Sequence, residues 1–421
     1  MEDLNPESLR YILGVKLRQF RQERGLGLKE TAQAAGMSVS YLSEIEKGRK
    51  YPKTEKILQI ARALEVSYDE LVSPKMSGDL DPVRELFASP FLQEFPFHFF
   101  GLEPESIVQL VTEVPAKAGA LLRTFLEVGR TYDLRTEQFL FAALRSYQQL
   151  HGNHFEDIER RAADWLEARG WSGREVLRAD ELQQVFEGEL GDRVEDLPID
   201  RYPELADLRS VWVPSAGSRG SSTLLINPRL QASQKAFALG RELGYRVLGL
   251  DERSTTSVHL EVESFDRVIN DFSAAYFSGA LLIQKPVLVA GLEQLFARPR
   301  WSSDAFLDLL LRHRTTPETF FYRLSQVLPG VFGFRDMYFL RFSHRVGRET
   351  FRLSKVLNMT ALPIPLGIEP GEHYCRRWPG LRLLGSMSAQ EAGAPDLRVA
   401  AQRSRFLFDG ASPDVSEYLT L

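Results

Sequence analysis

The stretch Leu28–Lys47 constrains this chain more than any other. Leu28, Thr31, Ala32 and Ala35 form a short apolar stripe at helical spacing, and Gly36 closes it. Gly36-Met37-Ser38 then leaves room only for a tight turn. Ser38 is placed to cap a second short helix, whose buried face is Leu42 and Ile45 and whose end is Gly48. Before this pair, Leu13, Leu17 and Phe20 lie at i, i+4, i+7, and Gly25 and Gly27 end their helix. After it, Pro52 suits the first turn of a fourth helix carrying Ile57, Ala61 and Leu64, and Val66, Tyr68 and Leu71 close the core. The expectation is a five-helix domain over residues 8–72, followed by a Ser/Pro/Gly linker over 73–79.

Two helices held at a fixed angle suit DNA, because one braces on the backbone while the other enters the major groove. The leading residues Ser38, Val39, Ser40, Tyr41, Ser43 and Glu44 are then expected at base edges, and Lys47, Arg49 and Lys50 at phosphates. Charge agrees. The chain carries −5 overall, yet residues 1–75 carry +2, with Lys47, Arg49, Lys50, Lys53 and Lys56 clustered around a single acid, Glu55. From Leu17-Arg18 and Arg24-Gly25 through Ser40-Tyr41-Leu42-Ser43-Glu44-Ile45-Glu46-Lys47-Gly48 to Pro52, the segment resembles the XRE (Cro/repressor-like) helix-turn-helix family end to end. One departure is Gln33, where that family usually has an apolar residue.

The remaining chain reads as an α+β, predominantly α body. Residues 80–195 carry helical patterns, from Leu121-Leu122 and Phe125-Leu126 to Trp165-Leu166. Residues 196–316 begin with strand-like VWVP and TLLIN around SAGSRGSS, then turn to two amphipathic helices near 230–249 and 263–283. Residues 317–421 are mixed, with MYFLRF, TFRLSK and the Pro-rich ALPIPLGIEPG as strands and turns. No apolar run reaches a membrane span, and MEDLNPESLR has no apolar core of a signal peptide, so a cytoplasmic protein without membrane contact is expected. One cysteine, Cys375, makes neither an internal disulfide nor an all-cysteine metal site.

Within 237–245 the chain reads Phe-Ala-Leu-Gly-Arg-Glu-Leu-Gly-Tyr, followed later by Asp271, Ala274 and Phe277. This resembles the ImmA/IrrE family of zinc peptidase-like domains, whose active members carry His-Glu-x-x-His on one helix and an acidic ligand on the next. Arg241 and Tyr245 stand at the two histidine positions, Glu242 at the base, and Asp271 aligns with the third ligand. Arginine cannot shed its proton to bind zinc, so the motif is degenerate: no catalytic residue, no metal and no cofactor are expected. His151, His154 and Asp157 fall at i, i+3, i+6 on an expected helix and read as a hydrogen-bonded or solvated group.

Together with the block MYFLRFSHRVGRETFRLSKVL…HYCRRWPGLRLL, the whole chain looks like the short-chain fatty acyl transcriptional regulator family. That resemblance implies a double-stranded DNA operator, a homodimer or higher even oligomer, and an acyl-CoA effector. Arg341, Arg345, Arg376 and Arg377 would suit the effector's phosphates, although ion pairs with the acidic body are the plainer reading. Two other readings stay open: a metallopeptidase of a stress response with unorthodox ligands, and a regulator controlled by a protein partner.

Overall fold

The computed structural model describes residues 6–73, 97–101, 136–215, 221–253, 256, 264–334, 336–344, 350–359, 378–387, 397–406 and 416–421. It divides into two compact units: Met1–Tyr147 with Val262–Phe265, and Gln148–Glu261 with Asp266–Leu421. The fold is α+β and mostly helical. Within the first unit, α1 (Pro6–Glu23), α2 (Leu28–Ala34), α3 (Val39–Glu46), α4 (Thr54–Ala63) and α5 (Tyr68–Val72) are the five expected helices. Leu13, Leu17, Ala32, Ala35, Leu42, Ile45, Ile57, Ala61, Leu64 and Leu71 form one buried core, joined by Ile60. Gln33 is exposed, so its polarity places no demand on that core.

Pro52 is a correction. It precedes α4 by two residues, because Lys53 is the extended N-cap and the helix starts at Thr54. Gly14 has a role that apolar spacing does not announce. A Cβ there would lie 2.6 Å from the Glu46 carbonyl oxygen and 2.7 Å from that of Ile45, so α1 packs directly on the end of α3. Lys16 is buried beside it and donates to the carbonyls of Glu70 and Ser73, satisfying the C-terminal end of α5.

After the short 3₁₀ turn Phe97–Phe100 come α6 (Thr136–Leu150), α7 (Glu156–Glu167) and α8 (Ala179–Gly188). The expected helices around Leu121–Leu126 and the linker from residue 74 lie outside the described residues. The second unit then forms β1 (Arg193–Asp196), β2 (Ser210–Val213) and β3 (Thr223–Ile226), in the order β1-β3-β2. β1 runs parallel to β3 and β2 antiparallel to it, so VWVP and TLLIN are the arms of a hairpin. Next are α9 (Ala232–Leu248), α10 (Phe265–Leu282), α11 (Lys285–Phe296), α12 (Ser303–Arg312) and α13 (Pro317–Phe332). Two small antiparallel pairs complete the chain, β4 (Tyr338–His344) with β5 (Phe351–Asn358) and β6 (Gln402–Phe406) with β7 (Ser416–Thr420), separated by α14 (Pro379–Met387). The Pro-rich ALPIPLGIEPG lies outside the described residues. Among the described residues, no single helix is long and apolar enough to cross a membrane.

A buried ion pair holds the helices of the second unit together. Arg323 of α13 is fully buried; it donates to both carboxylate oxygens of Glu159 on α7, and its Nε donates to the Ile283 carbonyl at 3.0 Å. The Tyr276 hydroxyl of α10 donates to Glu159 at 2.8 Å and accepts from the Phe155 amide at 3.2 Å. Burial alone would raise the Glu159 pKa, but the Arg323 charge and its hydrogen bonds hold it below the ordinary carboxylate value. Residues 151–153 form a turn with Asn153 in the left-handed region at φ 52°, and α7 starts only at Glu156. The i, i+3, i+6 face of His151, His154 and Asp157 therefore does not exist. His154 instead meets the Gln326 carbonyl at 2.8 Å and Glu156 at 3.0 Å. Arg323→Met leaves Glu159 buried without its cation, so urea unfolding should show a loss of about 3–5 kcal/mol. Adding Glu159→Met should recover most of it.

Candidate nucleic-acid interface and a buried acid–arginine cluster

α3 is built to present one face. Ser38 caps it, its Oγ accepting from the Tyr41 amide at 3.1 Å. Leu42, Ile45 and Glu46 turn inward, so Val39, Ser40, Ser43, Glu44 and Lys47 follow the other side of the helix. Ser38, Val39, Ser40 and Lys47 are exposed, as are Arg49 and Lys50; Tyr41, Ser43 and Glu44 are half-buried. The Lys50 ammonium lies 5.7 Å from the centre of the Tyr41 ring, and Arg49 stands 3.5 Å from the Glu44 carboxylate. The Glu44 carbonyl accepts from the Arg49 amide at 2.9 Å, which folds the basic segment back over the end of α3.

What fixes α3 to α1 is a contact that sequence reasoning missed. Arg21 donates from Nε and Nη2 to the two oxygens of buried Glu46, at 2.6 and 3.0 Å, and from Nη1 to the Leu26 carbonyl at 2.9 Å. The partners are 25 positions apart, and no local periodicity links them. Their one visible signal is an acid on the inward side of an amphipathic helix.

In the second unit, α9 and α10 cross closely at Gly240 and Gly244. A Cβ on Gly244 would come within 2.8 Å of the Ala274 carbonyl oxygen, and one on Gly240 within 2.5 Å of Ser278 Oγ. This crossing brings Arg241 to Asp271 at 3.4 Å. Glu242 is bound by Arg253, a residue from beyond the end of α9 that the sequence reading did not single out. The Arg253 guanidinium lies 4.3 Å from the Tyr245 ring centre and 4.8 Å from that of Trp212 on β2. Two guanidinium groups thus face two carboxylates, and the Tyr245 hydroxyl lies buried without a hydrogen-bond partner among the described residues.

A divalent metal does not fit these residues. Both arginines keep their protons, and Arg253 already occupies the carboxylate of Glu242. Among the described residues, no group of three His, Cys, Asp or Glu gathers to hold a metal. Burial lifts the Asp271 carboxyl to about 6; Arg241 opposes that rise and Glu242 adds to it.

Of the arginines expected to meet an effector, Arg341 lies half-buried on β4 and donates to both oxygens of Glu318, at 2.8 and 2.9 Å. Arg345, Arg376 and Arg377 lie outside the described residues. A cavity of about 660 Å³ in the second unit is lined by Arg178, Arg312 and Arg314 together with Glu175 and Glu181.

The family described as a helix-turn-helix domain matches residues 12–73. The uncharacterized HTH-type transcriptional regulator y4dJ of Sinorhizobium fredii is 38% identical over 66 residues, which are 16% of this chain and 86% of that protein. The chain belongs to the helix-turn-helix transcriptional regulators. YazB of Bacillus subtilis, another uncharacterized HTH-type transcriptional regulator, is 41% identical over 64 residues, 15% of this regulator and 93% of YazB. Similarity also extends beyond the DNA-binding domain. A propionyl-CoA carboxylase regulator of Cereibacter sphaeroides is 24% identical over 305 residues, 66% of this chain, which spans 59% of that protein's length.

The Asp271 carboxyl predicts a pH dependence. Its native pKa lies above that of the unfolded chain, so the folded protein keeps a proton that the unfolded chain releases between about pH 4 and 6. This contribution to stability is full at the acid end of that window and falls as pH rises through it. Asp271→Asn should flatten that fall in denaturant unfolding followed across the same range.

Proposed function

We propose that this regulator reads its operator with α3 as a homodimer, and that its larger body senses a metabolite without catalysing a reaction. The observation that carries the reading is the surface of α3: a Ser38-capped helix, clamped from behind by Arg21–Glu46, with a polar leading edge and exposed Lys47, Arg49 and Lys50 at its far end. Ser40 lies where a groove is read, and the basic residues lie where phosphates position the helix without reading sequence. The division into a reading domain (8–72), a linker (73–79), a helical middle (80–195), a peptidase-like domain (196–316) and an effector domain (317–421) follows from the same proposal.

An acyl-CoA thioester is the proposed effector. It is supported by the likeness to the propionyl-CoA carboxylase regulator over most of the chain. Arg345, Arg376 and Arg377 stay candidates for its phosphates, whereas Arg341 would have to leave Glu318 to take part. An effector acts by binding the DNA-competent and DNA-incompetent forms unequally, so operator DNA should in turn change effector affinity, by roughly 5- to 150-fold.

The peptidase reading is opposed by Arg241 and Tyr245 at the ligand positions and by Arg253 on Glu242. Zinc determination on protein purified without chelators should find no stoichiometric metal, and Glu242→Gln should abolish no proteolysis. Bound zinc together with cleavage lost in Glu242→Gln would turn the assignment to an enzyme. For the DNA surface, Lys47→Ala and Lys50→Ala should each weaken binding to all sequences and reduce the slope of log K against log salt by ~1. Ser40→Ala should instead change which operator is preferred. Operator binding that survives deletion of residues 1–72 would refute the proposal.

A further inference from the structure

The outward face of α3 is not uniformly available to DNA. Ser38 Oγ is engaged in capping the helix. Tyr41 packs against the core of the first unit and lies near the Lys50 ammonium. Ser43 and Glu44 are half-buried, and Glu44 faces Arg49. At the leading end of the helix, Val39 and Ser40 are therefore the side chains presented outward.

Val39 is the odd one. It is the first residue of α3, it is 41% exposed, and it has no part in the buried core. A β-branched residue is a poorer helix former than alanine, and an exposed one gains little from burial, so folding does not account for valine here. Its stiff side chain instead presents a preshaped apolar group at the helix end that contacts base edges. The major groove displays one apolar group, the 5-methyl of thymine.

We propose that Val39 reads a thymine 5-methyl group and so makes the regulator prefer a T·A pair at one position of each half-site. This rests on the reading that α3 enters the major groove. The test uses the full chain. Bound sites are selected from randomised duplex DNA, and each preferred thymine is then replaced by uracil, which removes the methyl and leaves the hydrogen-bonding edge unchanged. One such replacement should weaken wild-type binding about fourfold, the effect of losing one buried methyl-sized group. Val39→Ala should weaken binding to the thymine site by a similar factor and be indifferent to uracil at that position, with its thermal unfolding no lower than wild type.

Selected sites without a preferred thymine, or a uracil penalty that persists in full in Val39→Ala, would overturn the proposal. If Lys47→Ala and Lys50→Ala still weaken binding in that case, groove entry stands and only the methyl contact falls. If those two variants bind like wild type, the groove reading itself fails.

Discussion

A charge taken out of water must meet an opposite charge, and four arginine–carboxylate contacts at three places in the described residues satisfy this rule. In the first unit Arg21 grips Glu46 and pins α3 to α1. In the second, Arg323 and Glu159 join α13 to α7, with Tyr276 of α10 completing the network. In the third case Arg241 and Arg253 stand against Asp271 and Glu242 where α9 crosses α10. Such pairs add little net stability compared with well-packed apolar residues. Losing one partner is nevertheless severe, so each pair makes its helix arrangement hard to exchange for another.

For α3 the consequence is functional. A helix that reads DNA, as proposed for α3, is useful only if its outward residues keep one orientation, and α3 has just eight residues. Its short apolar face, Leu42 and Ile45, leaves much of that task to the Glu46 clamp and to the direct approach of α1 at Gly14. The phosphate-contacting candidates follow immediately on the chain, so the rigidity that places Ser40 also places Lys47, Arg49 and Lys50.

The α9–α10 crossing shows the same rule in a setting where metal chemistry does not fit. Two carboxylates near each other call for two positive charges, which a divalent ion could supply. Here two guanidinium groups supply them, and Trp212 and Tyr245 pack against Arg253. Arg241 only partly offsets the burial of Asp271, and Glu242 works against that offset, which is why this carboxyl titrates above its ordinary range.

Much of the first unit was legible in the order of residues. Apolar spacing, glycine stops and the Ser38 cap are local, and local signals specify short helices and the turn between them. The same holds for the strands VWVP and TLLIN and for the positions of Arg241, Glu242 and Tyr245 on one helix. What tertiary structure alone decided is who meets whom across distance. The pairings of Arg21 with Glu46, Arg323 with Glu159 and Arg253 with Glu242 carry no periodic signature. The start of α7 was misread because Asn153 adopts a left-handed turn stabilised by Ser325 and Gln148, one of them far away in the chain. Helices arise from neighbours a few residues apart, whereas a buried charge selects its partner from whatever the packed chain brings within reach.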